Sequence, residues 1–230
     1  MAYQHLFFDL DHTLWDHHRN ANETLKDLFV DYDFDQNWEF TADQFTDSFH
    51  QVNFHLWDRY RQGSIDQDFI RKERFPKVMA QLGVAKSEVP VSLAEEYLQR
   101  CPRKPHLMPF TLEILDYLQE RYSMSIITNG FSEIQETKLS CSGLSPYFST
   151  VVTSEVAGRL KPHPQIFNFA LNMVRASGSE CVMIGDNPVA DIAGARSAGI
   201  DQIYYDPANL NEAVDSTYRV DCLTQLKDLL

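Results

Sequence analysis

A doubly wound parallel α/β sheet carrying an inserted helical domain is the fold class this sequence predicts, and three observations predict it. Short apolar runs end in polar or acidic residues, stretches of helical period separate them, and one long segment near the N-terminus breaks the alternation with helical pattern alone. The apolar runs lie at residues 5–10 (HLFFDL), 124–128 (MSIIT), 150–153 (TVVT), 181–184 (CVMI) and 202–205 (QIYY). A continuous apolar run of this length suits a strand buried on both faces, as parallel strands are. Residues 132–141, 164–174 and 188–198 supply the amphipathic stretches between them.

The first run ends in acidic residues, where α/β proteins present functional groups at the C-terminal ends of strands. Residues 16–104 form the interruption. There Phe45, Phe49, Val52, Leu56 and Tyr60 recur at spacings of three and four, so one helix is expected over 42–62, with Gly63 as its stop. Three prolines within 102–109 mark a linker back into the core. The expected division is a core of 1–15 and 105–230 and a helical cap domain of 16–104. A chain of 230 residues has room for both.

Composition bounds the function. Hydrophobic residues make up 43% and charged residues 23%, the balance of a folded chain with a sizeable core. A net charge of −13 repels phosphate polymers and leaves little counterion release to drive binding, which argues against a nucleic-acid partner. A small phosphorylated metabolite remains compatible, because a metal ion and a few local cations can reverse the field within one cleft. No run of about 18 apolar residues suggests a membrane span. The N-terminal apolar run lacks a basic leader and is broken by Asp9 and Asp11, so a cytoplasmic location is expected, as monomer or homodimer. Cys101, Cys141, Cys181 and Cys222 lack the paired spacing of structural zinc and are expected to be reduced and mostly buried. His17 and His18 read as surface or hinge residues, since adjacent histidines are not spaced as helix-borne ligands.

Four constellations carry chemistry. Asp9-Leu10-Asp11-His12-Thr13 follows the first predicted strand, and two carboxylates so close at a strand end need a cation or protons to offset desolvation. One can attack phosphorus while the other shuttles a proton, although an acidic strand end that merely caps a turn has the same letters. Thr128-Asn129-Gly130, again after an apolar run, offers a hydroxyl and backbone donors suited to a phosphate oxygen; many strand-to-helix turns look alike. Lys161, ahead of the helix starting near Pro164, can neutralise a transferring phosphoryl group or be a solvated surface charge. Asp186-Asn187 and Asp191 follow the run 181–184: Asp186 suits a hard cation such as Mg²⁺, while Asp191 either orients Lys161 or a bound water, or caps its helix.

In this order the four motifs resemble the haloacid-dehalogenase-like (HAD) superfamily over residues 1–15 and 105–230. The resemblance implies a Rossmann-like core, Mg²⁺ and a phosphorylated Asp9. By the same resemblance Asp9 and Asp186 ligate the metal by their carboxylates and Asp11 by its backbone carbonyl. Thr128, Asn129 and Lys161 hold the phosphate, with Gly130 in the same loop, and Thr13, Asn187 and Asp191 stand behind them. Dehalogenases of this superfamily lack the second aspartate, so Asp11 and Asp186 argue for phosphoester hydrolysis. A helical insertion between the first two motifs is similar to the mobile cap of subfamily I. Within it, Gln51-Val52-Asn53, Leu56-Trp57, Tyr60, Gly63, Ile65 and Arg74-Phe75 resemble the house-cleaning pyrimidine 5′-nucleotidases, which implies nucleoside monophosphates as substrates; the side chains offer a rationale, since Phe49, Phe54, Trp57 or Tyr60 can stack a flat base and Asn53 can read its edge. An aromatic stripe at this spacing also suits simple core packing. The expected function is Mg²⁺-dependent phosphomonoester hydrolysis, on pyrimidine nucleoside monophosphates. Rivals are another small phosphate ester, such as a sugar phosphate or phosphoglycolate, a phosphomutase, and a silent phosphate-binding module.

Overall fold

The computed structural model describes residues 3–209 and 213–230. They fall into two units, one built from the chain up to His17 and from Pro105 onward, the other from His18–Lys104. The first unit contains a six-stranded sheet of β1 (His5–Phe8), β2 (Ser123–Thr128), β3 (Thr150–Thr153), β4 (Cys181–Gly185), β5 (Asp201–Tyr205) and β6 (Tyr218–Val220). Its order is β3-β2-β1-β4-β5-β6, and every neighbouring pair is parallel.

The chain leaves β1 for β2 on one side and later returns to β4 on the other, so β1 marks the point where the strand order reverses. In such sheets the crevice at the carboxyl ends of the strands beside the reversal receives the ligand. Register makes that crevice sharp: Phe8 pairs with both Ile126 and Ile184, so Asp9, Ile127 and Gly185 emerge level with one another. Asp9 keeps the ladder one residue beyond β1 by donating its backbone N–H to the Ile184 carbonyl at 2.9 Å.

Five strands match the apolar runs of the sequence. β6 escapes that reading because it has three residues, of which only Val220 is buried, as an edge strand permits. One sheet face buries Phe7, Ile127, Val152 and Met183 against Ile166, Phe167 and Ala170.

In chain order the α-helices are α1 (His17–Asp31), α2 (Phe34–Asn37), α3 (Ala42–Arg61), α4 (Gln67–Gln81), α5 (Leu93–Arg100), α6 (Thr111–Leu118), α7 (Ser132–Cys141), α8 (Ser154–Ala157), α9 (Pro164–Val174), α10 (Gly194–Ser197) and α11 (Leu226–Leu229). The stretch expected as one helix over 188–198 is instead a π-helix, Pro188–Ala193, followed by α10. A wider turn directly after a site strand shifts which side chains face the strand ends.

The second unit holds α2 to α5 and all but the first residue of α1. Thr41 and Gln44 form a reciprocal capping box at the start of α3, and Gly63 leaves the helix with φ of 71°. Phe45, Phe49 and Phe75 are completely or almost completely buried and pack ring to ring. Among the described residues no helix is long and apolar enough to cross a membrane. All four cysteines are free thiols. Cys101 and Cys181 are buried, Cys222 is half-buried and Cys141 is exposed, so burial extends to fewer of them than expected.

Candidate active site

The site grows from the turn after β1. Leu14 and Trp15 both donate backbone N–H bonds to the Leu10 carbonyl, and His12 takes φ of 66°, folding residues 9–15 into a tight loop. That loop sends Asp9 and Asp11 in different directions.

Asp9 meets Lys161. The Lys161 ammonium donates to Asp9 Oδ1 at 2.6 Å and to the Ile127 carbonyl at 2.6 Å, and its Nζ lies 2.7 Å from Asp191 Oδ1. Two of the ammonium's three donors are spent on these hydrogen bonds, and the Asp191 carboxylate stands beside it as an ion-pair partner. Lys161 is only 2% exposed, so it is a buried charge compensated on two sides and not the solvated lysine that its sequence equally allowed. Burial alone would strip its proton, but Asp191 and Asp9 outweigh that and hold it firmly charged.

Asp186 and Asp191 arrive from the other side of the reversal. Oxygens of Asp9, Asp186 and Asp191 all lie within 4.8 Å of one another. Asp191 is seated by the π-turn: its Oδ2 accepts the Asn187 backbone N–H at 3.0 Å, while Asn187 Oδ1 accepts from the backbones of Val189 and Ala190. A Cβ on Gly185 would stand 2.4 Å from Asp191 Oδ2, which is why β4 ends in glycine. Thr13, fully buried, donates to Asp186 Oδ1 at 3.1 Å and accepts the Asp186 backbone N–H at 3.2 Å.

Electrostatics sharpen the picture. Burial, opposed by Lys161 and reinforced by Asp191 and Asp11, pushes Asp9 up to about 7. Burial, Asp191 and Asp9 together also lift Asp186 well above the usual carboxylate range. Three carboxylates facing one ammonium leave negative charge in excess, and an all-oxygen, all-anionic donor set suits a hard divalent cation. The residues present therefore fit Mg²⁺, with Asp9, Asp186 and Asp191 offering carboxylate oxygens. The Asp11 carboxylate is not in this cluster.

Asp11 instead turns toward α7. Lys138 Nζ donates to its Oδ1 at 2.6 Å and Oδ2 at 2.8 Å, and Gln135 Nε2 donates to Oδ2 at 3.0 Å. Burial would raise this acid, but Lys138, His17 and Gln135 outweigh it and hold Asp11 well below the usual range. Neither Gln135 nor Lys138 was expected from the sequence. The available signal was a glutamine and a lysine three residues apart, hence on one helix face, directly after Thr128-Asn129-Gly130.

The second motif is used in two ways. Thr128 Oγ1 accepts from Gly130 N at 3.1 Å and from Gln135 Nε2 at 2.6 Å, so its own proton remains to be donated, as binding a phosphate oxygen requires. Gly130 has no room for a side chain, since a Cβ would lie 2.2 Å from Gln135 Nε2. The Asn129 side chain takes a different position from the phosphate-facing one expected. Its Nδ2 donates to the Lys161 carbonyl at 2.9 Å and its Oδ1 accepts the Lys161 N–H at 2.7 Å, tying the loop after β2 to the lysine.

In the second unit Asn53 is buried and accepts from Arg74 Nη1 at 3.2 Å, while the Arg74 guanidinium lies over the rings of Phe49, Phe75 and Tyr97. Phe49 is therefore core. Trp57 is half-buried and edge-on to Tyr60, and Phe54 is exposed.

Comparison with known proteins agrees with this geometry. The family model for haloacid dehalogenase-like hydrolases matches residues 3–199. The chain is 30% identical over 233 residues to pyrimidine 5′-nucleotidase YjjG of Escherichia coli (strain K12), covering all of this chain and 99% of that protein. It is 31% identical over 236 residues to pyrimidine 5′-nucleotidase PynA of Streptococcus pneumoniae (strain ATCC BAA-255 / R6), covering all of this chain and 96% of the relative. The crystal structure of the HAD-hydrolase YfnB from Bacillus subtilis bound to magnesium superposes with a TM-score of 0.87 at 27% identity, covering 100% of this chain and 99% of that one. The motif order, the strand reversal at β1 and the family match over most of the sequence lead to one conclusion: the chain belongs to the haloacid dehalogenase-like hydrolases and is an enzyme of that family.

Proposed function

We propose that the protein is a Mg²⁺-dependent phosphomonoester hydrolase working through a phosphorylated Asp9, with pyrimidine nucleoside 5′-monophosphates as substrates. The observation that carries the chemistry is the Asp9 carboxylate at the crevice, 2.6 Å from a fully buried Lys161 and clustered with Asp186 and Asp191. Asp9 attacks phosphorus in line, and the P–O bond to the alcohol breaks. Asp11, kept as a carboxylate at rest by Lys138, takes up a proton from solvent as the substrate binds, passes it to the departing oxygen, and regains one from the water that cleaves the phosphoenzyme.

Lys161 and the bound cation offset the repulsion between an anionic nucleophile and an anionic phosphate. Asp191 and Asn129 fix where the lysine sits, and Thr128 donates to a phosphate oxygen. Asp9 can attack only as carboxylate, so Lys161 serves the nucleophile by opposing the burial that would protonate it. The nucleotide assignment rests on two relatives of matching length that are pyrimidine 5′-nucleotidases.

The test is phosphate release from a panel of nucleoside monophosphates, sugar phosphates and phosphoglycolate, with Mg²⁺ and with EDTA. Release led by dUMP, dTMP or UMP, lost with EDTA and lost in Asp9→Asn, is expected. A panel led by another ester class overturns the nucleotide assignment and keeps the chemistry. Isomerisation with little phosphate release indicates a mutase, and turnover that survives Asp9→Asn overturns the mechanism.

A further inference from the structure

Helix α7 buries two polar residues, Gln135 and Lys138, beside Leu139. Gln135 is fully buried and Lys138 is 6% exposed, and both donate to the Asp11 carboxylate. A buried lysine is costly unless compensated, and here the compensation is one carboxylate held by both oxygens, with the Trp15 ring 4.5 Å from the ammonium on another side. Trp15 is itself fully buried and belongs to the tight loop that starts at Asp9. Lys138 is thus wedged between two residues of that loop.

Gln135 extends the arrangement. One of its Nε2 hydrogens goes to Asp11 and the other to Thr128 Oγ1, so a single amide sets the spacing between the proposed proton carrier and the proposed phosphate-binding hydroxyl. Gly130 is required to leave room for that amide. A carboxylate on an isolated turn has several side-chain rotamers available. Contacts of this number leave Asp11 one.

We infer that Lys138, with Gln135, is a positioning residue for Asp11: the bidentate ion pair and the amide bond hold the Asp11 carboxylate in a fixed orientation and at a fixed distance from Thr128. This deepens the phosphatase reading and rests on it. Its consequence is selective. Proton delivery matters most when the departing oxygen is a poor leaving group, because an acidic phenol departs without help. Loss of the clamp therefore harms hydrolysis of unactivated esters and spares activated ones, whereas a residue needed only for folding harms both alike.

The experiment uses the full-length, Mg²⁺-loaded enzyme and compares kcat/KM for p-nitrophenyl phosphate, phenyl phosphate and β-glycerophosphate in the wild type, Lys138→Met, Lys138→Arg and Gln135→Ala. Misplacing a general acid is worth on the order of 100-fold. Lys138→Met is expected to lose about that factor on β-glycerophosphate and no more than about threefold on p-nitrophenyl phosphate, with phenyl phosphate between. Lys138→Arg, which can also hold a carboxylate by two bonds, is expected to recover most of the loss. Gln135→Ala is expected to show the same leaving-group dependence, less steeply. Circular dichroism of each variant guards against misfolding, and a misfolded Met variant leaves Arg and Ala to decide. Equal losses across the three esters, or no loss, overturn the positioning role and leave the phosphatase reading intact. A wild-type enzyme that hydrolyses none of the three esters nor the nucleotide panel overturns both.

Discussion

At the scale of single residues, the site is a problem in compensating buried charge. Asp9 releases its proton near 3.8 when unfolded and near 7 when buried. Between those values the unfolded chain gives up the proton first, so stability is highest below the lower value and falls as pH rises through the window. Asp9→Asn removes the titration. Urea unfolding of the metal-stripped protein should show wild-type stability falling between about pH 4 and about pH 7, while the variant falls much less and is the more stable of the two at the upper end. An unchanged slope in the variant would mean that another group dominates. Gly185→Ala tests a different residue-scale constraint. Its Cβ would meet Asp191 Oδ2 at 2.4 Å, and Asp191 cannot retreat without leaving Lys161. A loss of about 2 kcal/mol in a melting experiment, with a fall in kcat greater than any rise in KM, is expected.

At the scale of elements, β1 shows how a strand and its exit loop share the work. The strand is a run of buried apolar residues that fixes register on both sides, and the loop is stapled to it through the Leu10 carbonyl. The π-helix at Pro188–Ala193 performs the same service for Asp191, with Asn187 satisfying two of its first backbone donors. Asn187→Ala should therefore cost about 1 kcal/mol as a lost cap and also reduce turnover, because Asp191 Oδ2 depends on the same turn. By contrast, Thr41→Ala removes the capping box of α3, far along the chain from the four motifs. It should cost about 1 kcal/mol in the melting of the second unit. The two variants, matched in capping loss, separate a helix start that seats the carboxylate cluster from one in the second unit.

At the scale of the whole molecule, charge decides partners and cofactor. The chain carries −13 overall, and its site adds three clustered carboxylates against one lysine. A divalent cation that binds the folded state and not the unfolded one raises stability by mass action, about 2.7 kcal/mol at a hundredfold excess over Kd. Thermal melting with Mg²⁺ should shift upward, and Asp186→Asn should abolish most of that shift; a shift of equal size in the variant would place the cation elsewhere.

The sequence by itself determined the sheet, its helical insertion and the positions of the four motifs, because these follow from local signals: apolar runs long enough for buried strands, helical period, and acidic or glycine residues at strand ends. It was enough to single out Asp9, Asp11, Thr128, Lys161 and Asp186 by residue number. Only the tertiary structure decided which of two readings each received. Lys161 became a buried counter-charge, Asp191 a partner of that lysine, and Asn129 a tie to its backbone, since such roles depend on contacts across 30 and more residues of chain. Lys138 and Gln135 stayed hidden for the same reason. A lysine on a helix face is usually solvated, and the carboxylate that buries this one lies 127 residues away, brought beside it only when β1 and β2 pair.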